Sequence, residues 1–230
     1  MVQYMILDKV LDCRAVYKWY GERNILNNIT FHVAPGEKLA ICGMSGSGKS
    51  TLLRCISCLE TWDRGEVIVN GTKVLCNKKS MRNIRGMIGI VFQDCTLFPH
   101  LNVIGNCTLA LTKVKKMNKQ EAYSHAMQYL TMLGVSDLRQ YSVYELSGGQ
   151  RQRVAIARSM CMEPDIIMMD EPTSALDPET CNAVLYAINN VVDKYGMTVI
   201  CVSHNMDFVY NFADRVLYIN EGELIDMPPH

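Results

Sequence analysis

The stretch LAICGMSGSGKSTLLRCISCLE, residues 39–60, decides the fold. Leu39 to Cys42 is a short apolar run of strand character, a glycine-rich turn follows, and from Thr51 the chain resumes with helix-forming residues at helical spacing. Gly43 and Gly48-Lys49-Ser50 stand at the spacing of a phosphate-binding loop, in the strand–loop–helix setting that such a loop needs. The chemistry explains the residue types. Glycines let the backbone turn tightly, so that successive N–H groups point inward at an anion, and the helix that follows adds its positive N-terminal end. Lys49 reaches toward the β- and γ-phosphates, and the Ser50 hydroxyl is placed for Mg²⁺. Gly43, Ser45, Gly46, Ser47, Gly48, Lys49, Ser50 and Thr51 are therefore the candidate phosphate contacts. Taken alone, the loop is shared by kinases, GTPases and many ATPases.

Farther from the loop the alternation continues. MIGIVF (87–92), DIIMM (165–169) and MTVICV (197–202) are short β-type runs separated by helical segments, the pattern of a parallel sheet covered on both faces. Up to about residue 75 the pattern differs: VLDCRAVYKWY, ILNNITFHV and GEVIVNGTKV read as turn-separated strands of an antiparallel layer. Near the end, RVLYINEGELID is a strand pair around Asn220-Glu221-Gly222. Between about 94 and 160 the pattern is helical. Asn118 with Glu121 makes an N-cap and its partner, Ala122, Ala126, Tyr129, Leu130 and Leu133 trace one face, and Gly134 stops the helix. The expectation is an α/β fold in one domain spanning 1–230, with a mainly parallel core sheet (1–93 and 161–230), an N-terminal antiparallel β layer and an inserted helical lobe (about 94–160).

With 230 residues the chain is long enough for one well-buried core, and 49% apolar against 20% charged residues is ordinary for a globular domain. Lys plus Arg equals Asp plus Glu at 23 each, so no overall field points to nucleic acid or an anionic membrane. The cluster Lys113, Lys115, Lys116 and Lys119 reads as a solvated face. No apolar stretch reaches membrane-spanning length, and Met1 to Leu7 lacks the basic flank and cleavage site of a leader, which predicts a chain that stays in the cytoplasm. Several of the ten cysteines, Cys42, Cys161 and Cys201 among them, sit in apolar runs where the thiol serves as a small hydrophobe. Cys55-Ile-Ser-Cys58 has metal-like spacing but no second pair, and it falls in the helix after the phosphate loop, so no zinc is expected.

Two further segments carry chemistry. IIMMDE (166–171) ends an apolar strand in two carboxylates, and in an open parallel sheet ligands sit at the carboxyl ends of strands. Asp170 is placed to hold Mg²⁺. Glu171, one residue on, is placed to polarise an attacking water as general base, provided that the chain turns there, as Pro172 favours. Leu146-Ser147-Gly148-Gly149-Gln150 puts adjacent glycines at a helix start, a second anion cradle. One loop already supplies a cradle, so the second needs a purpose.

At this point the sequence resembles the ABC ATPases, over nearly its whole length, with seven elements in family order. Tyr20 in KWYG matches the aromatic that stacks on adenine, GMSGSGKST is the Walker A motif, and Gln93 in IVFQD is the Q-loop glutamine. LSGGQ is the signature, IIMMDE is Walker B, Asp177 in SALD is the D-loop aspartate and His204 in VSHNM is the switch histidine. The resemblance implies a P-loop ATPase that binds ATP and Mg²⁺, with Lys49, Gln93, Glu171 and His204 catalytic and Ser50, Gln93 and Asp170 on the metal. It implies a head-to-tail dimer in which Ser147, Gly148, Gly149 and Gln150 of one chain cover the nucleotide on the Walker A loop of the other, with Tyr20 and Asp177 contributing.

TLLRCISCLE, FQDCTLFPHLNVIGN and LSGGQRQRVAIAR are similar to the ATPases of bacterial polar-amino-acid importers. That similarity implies integral permease subunits as partners, a substrate-binding protein acting through them, and a place at the cytoplasmic face of the membrane. An exporter-type or lipoprotein-releasing motor shares the same chemistry and remains the alternative, as does a nucleotide-binding module without turnover. The latter is disfavoured because Glu171 and His204 are both present. The chain departs from the importer pattern in residues preceding the usual start, in Asp94 after the Q-loop glutamine, and in ending at Pro228-Pro229-His230 where the family runs on.

Overall fold

The computed structural model describes residues 8–75, 77–173 and 176–226. The opening Met1 to Leu7, Ser174 and Ala175 of SALD, and the Pro228-Pro229-His230 end lie outside the described residues.

Strands β1 (Leu11–Tyr20) and β2 (Arg23–Val33) are joined by a tight turn at Gly21-Glu22 and pair antiparallel. On its other side β1 pairs antiparallel with β4 (Arg64–Val69), which turns back into β5 (Thr72–Lys73), giving the expected antiparallel layer in the order β2-β1-β4-β5. Between β2 and β4 the chain makes β3 (Lys38–Cys42) and α1 (Lys49–Ile56). Strand β3 is central to a second sheet, completed by β6 (Ile88–Val91), β7 (Ile166–Asp170), β8 (Thr198–Val202), β9 (Arg215–Asn220) and β10 (Glu223–Asp226). Its order is β10-β9-β3-β8-β7-β6, parallel throughout except for the terminal β9–β10 hairpin.

The middle strands are buried on both faces, which is why they read as unbroken apolar runs. Leu39 and Ile41 of β3, Ile166 and Met168 of β7, and Ile200 and Val202 of β8 face the antiparallel layer and α1. Ala40 and Cys42, Ile167 and Met169, and Val199 and Cys201 face the other way. That second face is covered by α3 (Val103–Lys113), α4 (Lys119–Met132), α5 (Gly148–Met160), α6 (Pro178–Tyr195) and α7 (Met206–Phe212). No helix among the described residues is long and apolar enough to cross a membrane.

Helix α4 is built as its sequence predicts. Asn118 and Glu121 close a capping box, Ala122, Ala126, Tyr129 and Leu130 are buried, and Gly134 leaves the helix at φ +65°. One helix carried no signal of its own, and two local expectations need correction. An eight-residue helix, α2 (Lys78–Arg85), precedes β6; Met81 and Ile84 are its only apolar residues, too few for helical periodicity to show in the sequence. Residues 94–102 are not helical; the first helix after β6 starts at Val103, capped by the Asn102 side chain on the Gly105 N–H. Cys58 lies beyond α1 rather than in it. The N–H groups of Leu59 and Glu60 both return to the carbonyl of Arg54, which ends the helix and turns Cys58 into the left-handed region at φ +60°. Both Cys55 and Cys58 are buried.

Candidate nucleotide-binding site

The loop after β3 has a shape that only glycine permits at two points. Gly43 and Gly48 hold φ +152° and +108°, and a Cβ on them would stand 2.3 Å from the carbonyl oxygen of Ile219 and 2.8 Å from that of Ile25. The loop is thus wedged against β9 and β2. Lys49 is buried, and its ammonium donates to the carbonyls of Gly43 and Met44, at 2.8 Å each, closing the loop on itself. Helix α1 starts at Lys49 with no side-chain cap and no acidic residue in its first turn, so its positive end is left for an outside anion. The Ser47 hydroxyl is buried inside the loop without a hydrogen-bond partner. A polyphosphate group fits these features: uncapped N–H groups, a buried cation and an orphaned hydroxyl.

Beside the loop, β7 delivers Asp170, whose Oδ1 accepts from the Ser50 hydroxyl at 3.2 Å. Burial pushes the Asp170 carboxyl above the usual carboxylate range, and the Ser50 hydrogen bond partly opposes this. A hydroxyl and a carboxylate together are hard oxygen donors of the kind that Mg²⁺ takes. The chain does turn after Asp170. Glu171 sits in the left-handed region at φ +50°, and its N–H donates to the Val202 carbonyl at 2.8 Å. Its carboxylate lies against His204, with Oε1 at 2.8 Å from Nδ1 and Oε2 accepting from the His204 N–H at 3.4 Å.

These groups meet around one cavity of about 530 Å³. Of the residues singled out in the sequence, Tyr20, Gly43, Ser45, Gly46, Gly48, Lys49, Ser50, Thr51, Gln93, Glu171 and His204 line it. Ser47 and Asp170 stand just behind, inside the loop and on Ser50. Arg23, Ile25 and Met44 line it too and were not singled out. Met44 is visible only as a variable position of the loop. Arg23 and Ile25 reach the cavity because the hairpin pairs Arg23 with Tyr20, a register that no local motif announces.

The remaining candidates lie elsewhere. Ser147 caps α5: its side chain accepts from the Gln150 N–H while the Gln150 side chain accepts from the Ser147 N–H. Gly148 borders a separate cavity of about 150 Å³, shared with Gln93 and Glu171. Gly149 has a packing reason for lacking a side chain, since a Cβ there would stand 2.2 Å from the Thr180 methyl at the start of α6. Asp177 caps α6 by accepting from the N–H and hydroxyl of Thr180, bonds that hold its carboxyl below the usual range. None of Ser147, Gly148, Gly149, Gln150 and Asp177 lines the cavity of the phosphate loop in its own chain.

Comparison with known proteins gives the family. Residues 26–174 match the family described as ABC transporter. The chain is 46% identical over 211 residues, 92% of its own length and 83% of the relative's, to YhdZ of Escherichia coli K12, named as an amino-acid ABC transporter ATP-binding protein. It is 45% identical to the glutamine transport ATP-binding protein GlnQ of Geobacillus stearothermophilus, covering 93% of this chain and 88% of that one. Among solved structures it is similar to the dimeric bacterial ABC transporter cassette MJ0796, with TM-score 0.86 and 33% identity over 96% of this chain and 99% of that one. A phosphate loop, a strand-end carboxylate pair and a facing histidine around one cavity, within a matching sequence and fold, place the chain in the ABC transporter family, among its ATP-binding subunits.

Proposed function

We propose that this chain is the ATP-hydrolysing motor subunit of an importer for polar amino acids, acting as a head-to-tail pair of copies on a membrane permease. One observation carries the paired arrangement: the signature segment Ser147–Gln150 does not line the phosphate cavity of its own chain. A second copy turned end for end brings that segment over the nucleotide, which gives the second cradle its purpose. Similarity to a cassette solved as a dimer supports this reading.

Within each site, Tyr20 takes the base, the loop N–H groups and Lys49 take the phosphates, and Ser50, Asp170 and Gln93 would hold Mg²⁺. When bound, Mg²⁺ neutralises charge that develops on the phosphate oxygens. Glu171 accepts the proton of the attacking water, and its turned backbone aims it away from Asp170 so that the two carboxylates serve different ends. His204, 2.8 Å from the Glu171 carboxylate, fixes that side chain in place. Nucleotide binding closes the pair and hydrolysis releases it, a ligand-driven shift between two arrangements that the permease reads. The amino-acid cargo rests on relatives such as GlnQ and the glutamate/aspartate import protein GltL of Escherichia coli, and it implies a substrate-binding protein and a place at the cytoplasmic face of the membrane.

The test is complementation in trans. Lys49→Ala and Ser147→Arg chains should each lack ATPase activity, and a mixture should regain part of it through one intact composite site. No recovery at any ratio, with mixed dimers shown to form, would mean that each site is completed within one chain.

A further inference from the structure

Tyr20 enters the cavity from the end of β1, and 46% of the residue remains exposed. Its hydroxyl donates to Oε2 of Glu60. The other oxygen of that carboxylate, Oε1, lies 3.3 Å from Nζ of Lys18. The Lys18 ammonium in turn stands over the Tyr20 ring, 5.2 Å from its centroid and within cation–π reach. The three side chains therefore close a ring of contacts. Lys18 is only 6% exposed, so this is no solvated surface pair: a charge that deep persists only where a counter-charge and hydrogen bonds satisfy it. Glu60 keeps the Tyr20 hydroxyl protonated, pushing it up to about 12, so the donor is present at every working pH.

Glu60 has a second tie. Its N–H donates to the Arg54 carbonyl at 3.1 Å, just past the end of α1, and α1 begins at Lys49. One short helix thus carries the phosphate loop at its head and Glu60 beyond its tail. The position of the Tyr20 ring is linked to the position of the phosphate loop through that helix.

We infer that Lys18 and Glu60 are positioning residues for nucleotide binding, which hold the Tyr20 ring at a fixed place relative to the phosphate loop as a preformed stacking platform for the base. The inference rests on the reading of Tyr20 as the base-stacking residue. Lys18 stands over one face of the ring, and the ring itself lines the cavity. A ring already held in place has no rotamer freedom left to lose when the base lands on it.

The experiment compares calorimetric affinities for ADP and for inorganic pyrophosphate, both with Mg²⁺, on the full chain. The ratio of the two isolates the nucleoside's share of binding. Tyr20→Ala should lower it by about 5- to 150-fold, the range of base–aromatic stacking. The paired replacement Lys18→Met/Glu60→Leu strands no charge, so it should fold. It should lower the ratio about 2- to 12-fold, the worth of ordering one side chain, with pyrophosphate affinity and melting temperature near the parent's. Tyr20→Phe keeps the ring and loses the anchor. It should show the same loss, and adding the paired replacement to it should cost little more. If Tyr20→Ala lowers the ratio while the paired replacement and Tyr20→Phe leave it at the parent's value, the positioning role is overturned. If Tyr20→Ala itself leaves the ratio unmoved, the stacking reading fails instead. Should the paired replacement not fold, Tyr20→Phe alone decides: an unchanged ratio overturns the proposal.

Discussion

Nδ1 of His204, just beyond β8, stands 2.8 Å from Oε1 of Glu171, just beyond β7, and both residues line the phosphate cavity. The contact exists because β7 and β8 are neighbours in register, Asp170 beside Val202, and because Glu171 leaves the strand direction at φ +50°. Two adjacent carboxylates are thereby sent to different partners, Asp170 to Ser50 and Glu171 to His204.

The first prediction separates those roles. Glu171→Gln should bind Mg-ATP about as well as the parent and turn over at least ~100-fold more slowly, the loss expected for a positioned base. Asp170→Asn should instead lose the Mg²⁺ dependence of ATP binding. Affinities with and without Mg²⁺, together with single-turnover rates, check both; the opposite pattern would mean that the carboxylates are reversed.

The glycine at the head of α1 gives a second. Gly48→Ala places a methyl 2.8 Å from the Ile25 carbonyl in a backbone conformation of φ +108°. Strain of this kind costs about 1–3 kcal/mol. The variant should lose thermal stability and ATP binding together, since the loop cannot keep its shape. ATP affinity equal to the parent's in calorimetry would show that the wedge against β2 is not required.

A third concerns the helices between β6 and β7. Asn118 closes the capping box of α4 through the Glu121 N–H at 2.9 Å. Asn118→Ala should cost about 1 kcal/mol, or roughly 2–4 °C in melting temperature for a domain of this size. Asn118 does not line the phosphate cavity, so nucleotide affinity should hold. A melting curve superimposable on the parent's would refute the cap's contribution.

The fourth concerns thiol chemistry. Among the described residues, Cys95 is half-buried and the other cysteines are buried. Burial, with Asp94 adding to it, pushes the Cys95 thiol up to about 11. A raised thiol pKa means less thiolate at neutral pH, so iodoacetamide should label Cys95 more slowly than a free thiol at pH 8, and the rate should climb with pH toward 11. Peptide mapping by mass spectrometry reads this directly; fast labelling at pH 7 would contradict it.

The strands and the phosphate loop were legible because their signals are local. Leu39 to Cys42 is apolar on both faces, and the glycines of 43–48 need no partner to declare a tight turn. The capping box of α4 was equally legible, since Asn118 and Glu121 are three residues apart. Helix α2 and the exit of Cys58 from α1 were not. One has only Met81 and Ile84 as apolar residues, too few to show a period, and the other depends on which carbonyl the chain returns to.

By itself, then, the sequence determined the α/β alternation, the phosphate cradle, the order of the motifs and the family, each of which is written in contiguous residues. The tertiary structure alone decided which of those residues meet. The strand order β3-β8-β7 sets the phosphate loop, Glu171 and His204 around one cavity, and it leaves Ser147 and Asp177 on helix starts outside it. It also decided that Glu60, which lies 40 residues from Tyr20, anchors that ring together with a buried Lys18. Contacts of that span depend on chain reversals and sheet register, and register is fixed where a face of the sheet is buried, since a one-residue slip would turn that face's side chains outward.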